Sequence, residues 1–222
     1  MLDANILIEI TTYLVTGAIV GFAAGLLGIG GGLLIVPVLS TAFIYFLDIP
    51  EVVHLAIGTS LATIVVTSFS SVRAHHGHGA VRWDAVKLLA VGTLFGAFLG
   101  GWSSQFVSSD ILGKVFGILE VLIAINMLLA LKPSPSRQLP GLAGNTIAGT
   151  AIGTFSSLIG IGGGTLTTPY LTWNNVSMHQ AIATATAVSL PVAIAGTIGF
   201  YIAGRDATNL PAYATGYIYW PA

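Results

Sequence analysis

Two glycine clusters can do chemistry without any side chain: Gly28-Ile29-Gly30-Gly31-Gly32 and Gly160-Ile161-Gly162-Gly163-Gly164, each set inside apolar sequence. Glycines packed this densely give up helix propensity and expose backbone N–H and C=O groups. Successive N–H groups, with the positive end of a helix that starts after the break, make a nest for an oxyanion. Such a group needs donors and no metal. We therefore place a small-anion site on Gly28, Gly30, Gly31, Gly32, Gly160, Gly162, Gly163 and Gly164. The competing use of glycine is close helix packing. The series Gly17, Gly21, Gly25 and Gly92, Gly96, Gly100 fit that use better, because they keep small-xxx-small spacing within continuous segments. Nucleotide readings fail. No Lys-Ser/Thr ending follows either cluster, and Leu33 and Thr165 stand where a dinucleotide fingerprint needs glycine.

Hydroxyl groups come next. Thr59, Thr63 and Thr67 recur at every fourth position, with Ser60 and Ser68 alongside, and a matching segment carries Thr184, Thr186 and Ser189 before Pro191. Hydroxyls can line an anion path without a buried charge, and we place Thr59, Ser60 and Thr184 against the anion. Their bland use is a bond to the helix backbone or to a neighbouring helix, worth roughly 0.6 kcal/mol each. Glu120, with Asn126 following, lies in the middle of an apolar segment, where an ionisable group marks function by default. His54 and His179 occupy equivalent outer helix starts and can titrate near neutral pH. Glu120, His54 and His179 are the candidate coupling groups, against an interfacial role for the two histidines. His75-His76-Gly77-His78 resembles a metal tract but has no carboxylate or Cys nearby, so it reads as a solvated loop. No metal and no cofactor is expected.

These groups must be positioned by membrane helices. The chain has 222 residues, 55% of them hydrophobic and only 7% charged, against about 25% charged in a soluble domain. The absence of Cys removes disulfides and thiol chemistry, and a net charge of -1 argues against a nucleic-acid partner. At about 20 apolar residues per span, segments fall at 6–47 (long or broken), 52–72, 85–105, 111–131, 143–173 (broken again) and 178–203, with a last stretch starting near Ala212. Met1-Leu2-Asp3-Ala4-Asn5 lacks a basic n-region, so the first segment is expected to be a retained span rather than a signal peptide. Arg73, Arg82, Lys87, Lys132, Arg137 and Arg205 sort onto one side, whereas Asp48 to Glu51, Ser108 to Asp110 and Asn174-Asn175 sort onto the other. The positive-inside rule then puts the basic loops and the N-terminus in the cytoplasm, provided each glycine-broken segment crosses once.

The chain also repeats. Aligning Gly28 with Gly160 sets an offset of 132 (160 − 28), at which Gly17 meets Gly149, Gly21 meets Gly153 and Pro37 meets Pro169. A shifted register then matches His54-Leu55-Ala56-Ile57-Gly58-Thr59 with His179-Gln180-Ala181-Ile182-Ala183-Thr184. Duplicated halves with interrupted helices at corresponding positions point to a transporter binding site. The expected fold is all-α: a polytopic helical membrane protein with two homologous halves and glycine-broken helices. Residues 1–137 form the first repeat, of about four spans, and 138–222 the second, expected to be cut short because Pro211 to Ala222 reads as the lead-in to a further helix. Single crossings make the repeats parallel; re-entrant hairpins rework that parity, and the sequence leaves both open.

Gly25-Leu26-Leu27-Gly28-Ile29-Gly30-Gly31-Gly32 with Pro37, its echo at Gly160–Gly164 with Pro169, and Gly58-Thr59-Ser60 on the next helix resemble the TauE/SafE family of membrane permeases. The resemblance covers essentially the whole chain. It implies a secondary transporter, linked to a proton or an anion, that exports sulfite or organosulfonates from a bacterial or archaeal cytoplasmic membrane. Its partners would be a small anionic substrate, the lipid bilayer and a coupling proton. Two other classes stay open: an intramembrane enzyme, which needs a nucleophile and base at membrane depth, and a non-transporting scaffold whose glycines only pack helices.

Overall fold

The computed structural model describes residues 4–27, 31–47, 49–128 and 139–222. Gly28, Gly30, Lys132 and Arg137, named above, lie outside the described residues, as does the side chain of Asn126. Among those described, eight α-helices and one 3-10 turn form the molecule, and there is no β-strand. In chain order they are α1 (Ala4–Leu27), α2 (Gly32–Phe46), α3 (Val52–Gly77), α4 (Trp83–Ser103) with the 3-10 turn Ser104–Phe106, α5 (Ser109–Leu128), α6 (Leu142–Leu158), α7 (Gly164–Trp173) and α8 (Met178–Ala203). Three of them, α3, α4 with its 3-10 turn, and α8, are long and apolar enough to cross a membrane. Phe22, Val66, Phe69, Phe95, Val121 and Ile147 are exposed on the outside of the bundle, as suits surfaces that face lipid rather than water.

Both glycine-broken segments are hairpins. Tyr13 of α1 packs edge-on against Phe43 and Phe46 of α2, at ring-centre separations of 6.1 and 6.3 Å. The Tyr170 hydroxyl of α7 donates to Asn145 Oδ1 of α6 at 2.8 Å. In each hairpin the far ends of two antiparallel helices therefore meet, with Gly31 and Gly32 at one tip and Gly160 to Gly164 at the other. The hairpins enter from opposite faces. The start of α6, the end of α7 and the start of α8 share one face with the α3–α4 connection, where the Arg82 N–H donates to Thr184 Oγ1 at 3.0 Å. The start of α1 and the α2–α3 connection lie on the other face, with the α4–α5 connection, which His54 ties through Ser104 and Ser109.

This geometry corrects several expectations. Of the two arrangements the sequence leaves open, the structure has the inverted one, because in each broken segment the second helix runs back along the first. The start of α1 lies on the face opposite Arg73, Arg82 and Lys87, where single crossings would put it beside them. Arg205, at the end of α8, sits on that opposite face, and Asn174-Asn175 joins the basic face. His54 and His179 occupy equivalent places in the repeat but opposite ends of the molecule. His75 and His76 belong to the last turn of α3 rather than to a solvated loop. Pro211 to Ala222 is not a helical lead-in. It forms turns closed by an Ala214–Tyr219 bridge, and it buries Tyr217, Ile218 and Tyr219.

Small residues set the helix spacing. A Cβ on Gly92, Gly96 or Gly100 of α4 would strike the α6 backbone at Thr146, Thr150 and Thr154 respectively, so the two helices touch main chain to main chain. Among the described residues, a Cβ on Gly17 or Gly21 would meet nothing within 4 Å.

Candidate functional site

The second tip is built by local glycine chemistry. α6 ends in a Schellman turn: the Gly160 N–H donates to the Ser157 carbonyl at 3.1 Å and the Ile161 N–H to that of Ser156 at 3.0 Å, with Gly160 left-handed at φ 71°. Gly162 and Gly163 are also left-handed, at φ 70° and 93°, conformations that disfavour any residue with a Cβ. Gly163 then caps α7, its carbonyl accepting from the Thr167 N–H at 2.9 Å. At the first tip Gly31 caps α2, its carbonyl accepting from the N–H groups of Leu34 and Ile35. The repeat register holds here. α2 and α7 start at the aligned Gly32 and Gly164, and both place proline, Pro37 and Pro169, at the sixth position.

The tips press against each other in the middle of the molecule. A Cβ on Gly32 would lie 2.6 Å from the Ile161 Cα and closer still to the Gly160 carbonyl oxygen. Ser60 of α3 donates to that same carbonyl at 3.0 Å and holds the second tip down.

Beside this contact lies a cavity of about 280 Å³. Gly31 and Gly164 line it, so the positive ends of two half-helices, α2 and α7, converge on one space. Gly21, Ile35, Ile64, Ile161, Ile182 and Ala185 give it apolar walls. Thr67, Ser68, Ser71, Thr168, Thr186 and Ser189 supply hydroxyls, and His75 is the one ionisable side chain among the described lining residues. Thr67, Thr168, Thr186 and Ser189 donate back to carbonyls of their own helices. Ser68 and Ser71 have no hydrogen-bond partner among the described residues, although Ser68 is only 5% exposed.

The sequence-nominated residues divide. Gly31 and Gly164 reach the cavity. Gly32, Gly160, Gly162 and Gly163 shape the tips that bound it. Thr59, Ser60 and Thr184 do not line it. Thr59 accepts from the Tyr219 N–H at 2.9 Å, Ser60 holds Gly160, and Thr184 accepts from Arg82, so all three fasten distant segments. Glu120 is half-buried on α5 and borders neither this cavity nor the recess described next. The lining residues that type and spacing missed are Ser71, Thr168 and His75. Ser71 and His75 carried a usable signal, since with Ser68 they stand at i, i+3 and i+7 along one helix face.

His54 belongs to a separate recess of about 410 Å³ on the opposite face, lined also by Glu51, Ser108, Ser109, Asp110 and Tyr217. Its Nε2–H donates to the Ser104 carbonyl at 3.0 Å, which leaves Nδ1 to accept from the Ser109 hydroxyl at 2.8 Å. The ring lies against that of Tyr217, with centres 4.8 Å apart. Burial pushes the Tyr217 phenol up, and Glu51 adds to that, so the phenol stays neutral. Two carboxylates make this recess a poor host for an anion. His179 is exposed at the start of α8 on the basic face, where it acts electrostatically on His75.

Comparison with known proteins finds similarity to membrane transporter proteins. The family model for sulfite exporter TauE/SafE matches residues 13–222. A probable membrane transporter protein of Haemophilus influenzae is 38% identical over 213 residues, covering 94% of this chain and 80% of its own length. One from Methanocaldococcus jannaschii is 32% identical, covering 98% of this chain and 79% of itself. A third, YunE of Bacillus subtilis, is 30% identical, covering 86% and 78%. No solved structure matches the chain.

Proposed function

The chain belongs to the sulfite exporter TauE/SafE family, and on that premise we propose that it carries sulfite or an organosulfonate outward across a bacterial or archaeal cytoplasmic membrane. The observation that carries this reading is the cavity at which α2 and α7 both begin, lined by Gly31 and Gly164. First-turn N–H groups and two half-helix dipoles favour a compact oxyanion there. The unpartnered hydroxyls of Ser68 and Ser71 add donors, and the hydroxyl lining brings no negative charge. A proton is the coupling ion in this reading, and access alternates as one hairpin moves against the other. Arg73, Arg82 and Lys87 face the cytoplasm by the positive-inside rule, which puts the start of α1 outside.

An enzyme reading would use the contact of Ser109 with His54. Glu51 and Asp110 beside that pair would oppose the negative charge that develops when an acyl or phosphoryl centre is attacked. Labelling of Ser109 by a serine-directed covalent probe would revive it. The transporter reading is tested with the full chain in proteoliposomes. We expect saturable sulfite flux in the wild type and none in Gly162→Leu, whose side chain would need a left-handed backbone and run into Ile64. Full flux in that variant, or neither flux nor binding in the wild type, overturns the reading.

A further inference from the structure

We propose that one face of α3, formed by Ser68, Ser71 and His75, is the surface that recognises the anion, and that His75 binds it as the imidazolium. The proposal rests on the cavity being the substrate site and assigns the donors within it. The glycine tips give the cavity its field and shape, but their amides are common to any anion. Side-chain donors with nothing else to bind are scarcer. Of the six lining hydroxyls, four already donate to their own helices. Ser68 and Ser71 have no partner among the described residues, and neither has the His75 ring. Ser68 is nearly buried and lines the cavity, so its unused O–H is placed to turn into it. Spacing of i, i+3 and i+7 sets these three donors in a row, running from near the tips toward the basic face.

No acidic side chain is among the described groups that act on His75. His179 from α8 and His78 from the α3–α4 turn act on it electrostatically. Among the described residues, the walls contributed by α1, α2 and α7 bring no titratable side chain to the cavity, and no carboxylate lines it. An anion entering beside His75 would therefore supply a counter-charge that the described lining residues do not. Binding of one anion should bring one proton with it on the alkaline side of the imidazole titration. The ligand class that fits is an oxyanion with at least two free oxygens, one for the serine hydroxyls and one for the ring N–H.

The test uses the purified full chain and methanesulfonate, which stays ionised throughout the neutral range, so that any proton linkage belongs to the protein. Titration calorimetry in two buffers of different ionisation enthalpy counts protons taken up per anion. We expect wild-type affinity to fall toward ten-fold per pH unit on the alkaline limb, with proton uptake approaching one. His75→Gln should bind at least ten-fold more weakly at low pH and lose the pH dependence. His75→Arg, whose charge is fixed, should restore tight binding that is flat with pH. Ser68→Ala with Ser71→Ala should weaken binding while leaving the pH slope unchanged. A slope that survives His75→Gln, or one that vanishes only in His179→Gln or His78→Gln, overturns the assignment to His75. Wild-type affinity in the double serine variant overturns the recognition face. No methanesulfonate or sulfite binding by the folded wild type refutes the cavity reading on which the proposal rests.

Discussion

Gly32→Ala is the sharpest probe of the tip-to-tip contact. The added Cβ would lie 2.6 Å from the Ile161 Cα, and nearer than that to the Gly160 carbonyl oxygen, whereas ordinary contacts begin at 3.4 Å. The tips must therefore separate by about 0.8 Å (3.4 − 2.6) to clear the Cα alone, and by more to clear the oxygen. Both obstacles are backbone, so no rotamer change relieves them. The Ser60 bond to Gly160 starts at 3.0 Å and would be stretched by the same movement. Overpacking of this kind costs about 1–3 kcal/mol. On the scale of soluble domains of this size, that lowers the melting temperature by roughly 2–12 °C. Gly17→Ala is the matched control, because nothing lies within 4 Å of its Cβ position and alanine favours the helix. Fluorescence-detected thermal melting reads stability, and sulfite flux in proteoliposomes reads the site. If Gly32→Ala melts and transports like Gly17→Ala, the hairpin tips do not meet as described.

Ser60→Ala should lower stability by about 1 kcal/mol, the net worth of one buried hydrogen bond, while anion affinity in calorimetry stays unchanged. Thr184→Val strands the Arg82 N–H and should destabilise by about 1–3 kcal/mol, again without altering affinity. Gly96→Leu should fail to yield folded protein on size-exclusion chromatography, because even a Cβ there meets the Thr150 backbone. The chain has no cysteine, so single cysteines report topology directly. Asn175→Cys should be labelled by an impermeant maleimide only from the side of the basic connections, and Ser108→Cys and Arg205→Cys only from the other. Labelling of Asn175→Cys and Ser108→Cys from one side would refute the hairpins.

What could be read from the sequence was local. Gly32 and Gly164 start helices, and Pro37 and Pro169 follow at equal distances, because glycine breaks and proline placement are dictated within a few residues. The two broken segments and the long apolar helices were legible for the same reason. Whether a break bends back or runs on was not, since four glycines in five residues allow either outcome. Contacts such as Tyr13 with Phe43, and Tyr170 with Asn145, decide it from a distance. Hydroxyl roles failed similarly. Thr59, Ser60 and Thr184 bond to groups 160, 100 and 102 residues away, which no spacing rule reaches. His75 was hidden by its neighbours. The His75-His76-Gly77-His78 tract read as a solvated loop for want of a carboxylate or Cys nearby, yet α3 continues to Gly77 and turns His75 inward.

Duplication explains why one half recognises and the other packs. α3 and α8 are equivalent helices of 26 residues each, running in opposite directions. In the register that pairs His54 with His179, an offset of 125 (179 − 54), Ser68, Ser71 and His75 correspond to Ala193, Gly196 and Phe200. Ala193 and Phe200 are wholly buried, and a Cβ on Gly196 would meet Ser157 and Leu61. The face that offers three donors on α3 is thus a packing face on α8, seated against α3, α4 and α6. An ancestral pair of identical halves could not have used that face for both purposes at once, since a donor row packed against a neighbouring helix would bury its hydroxyls and imidazole without partners. The shared elements, the glycine tips and the half-helix starts, stayed symmetric because each half needs its own turn. Chemical recognition became one-sided. Grafting Ser, Ser and His onto positions 193, 196 and 200 should therefore destabilise the bundle rather than create a second anion site. A folded triple variant with doubled binding stoichiometry in calorimetry would refute that division of labour.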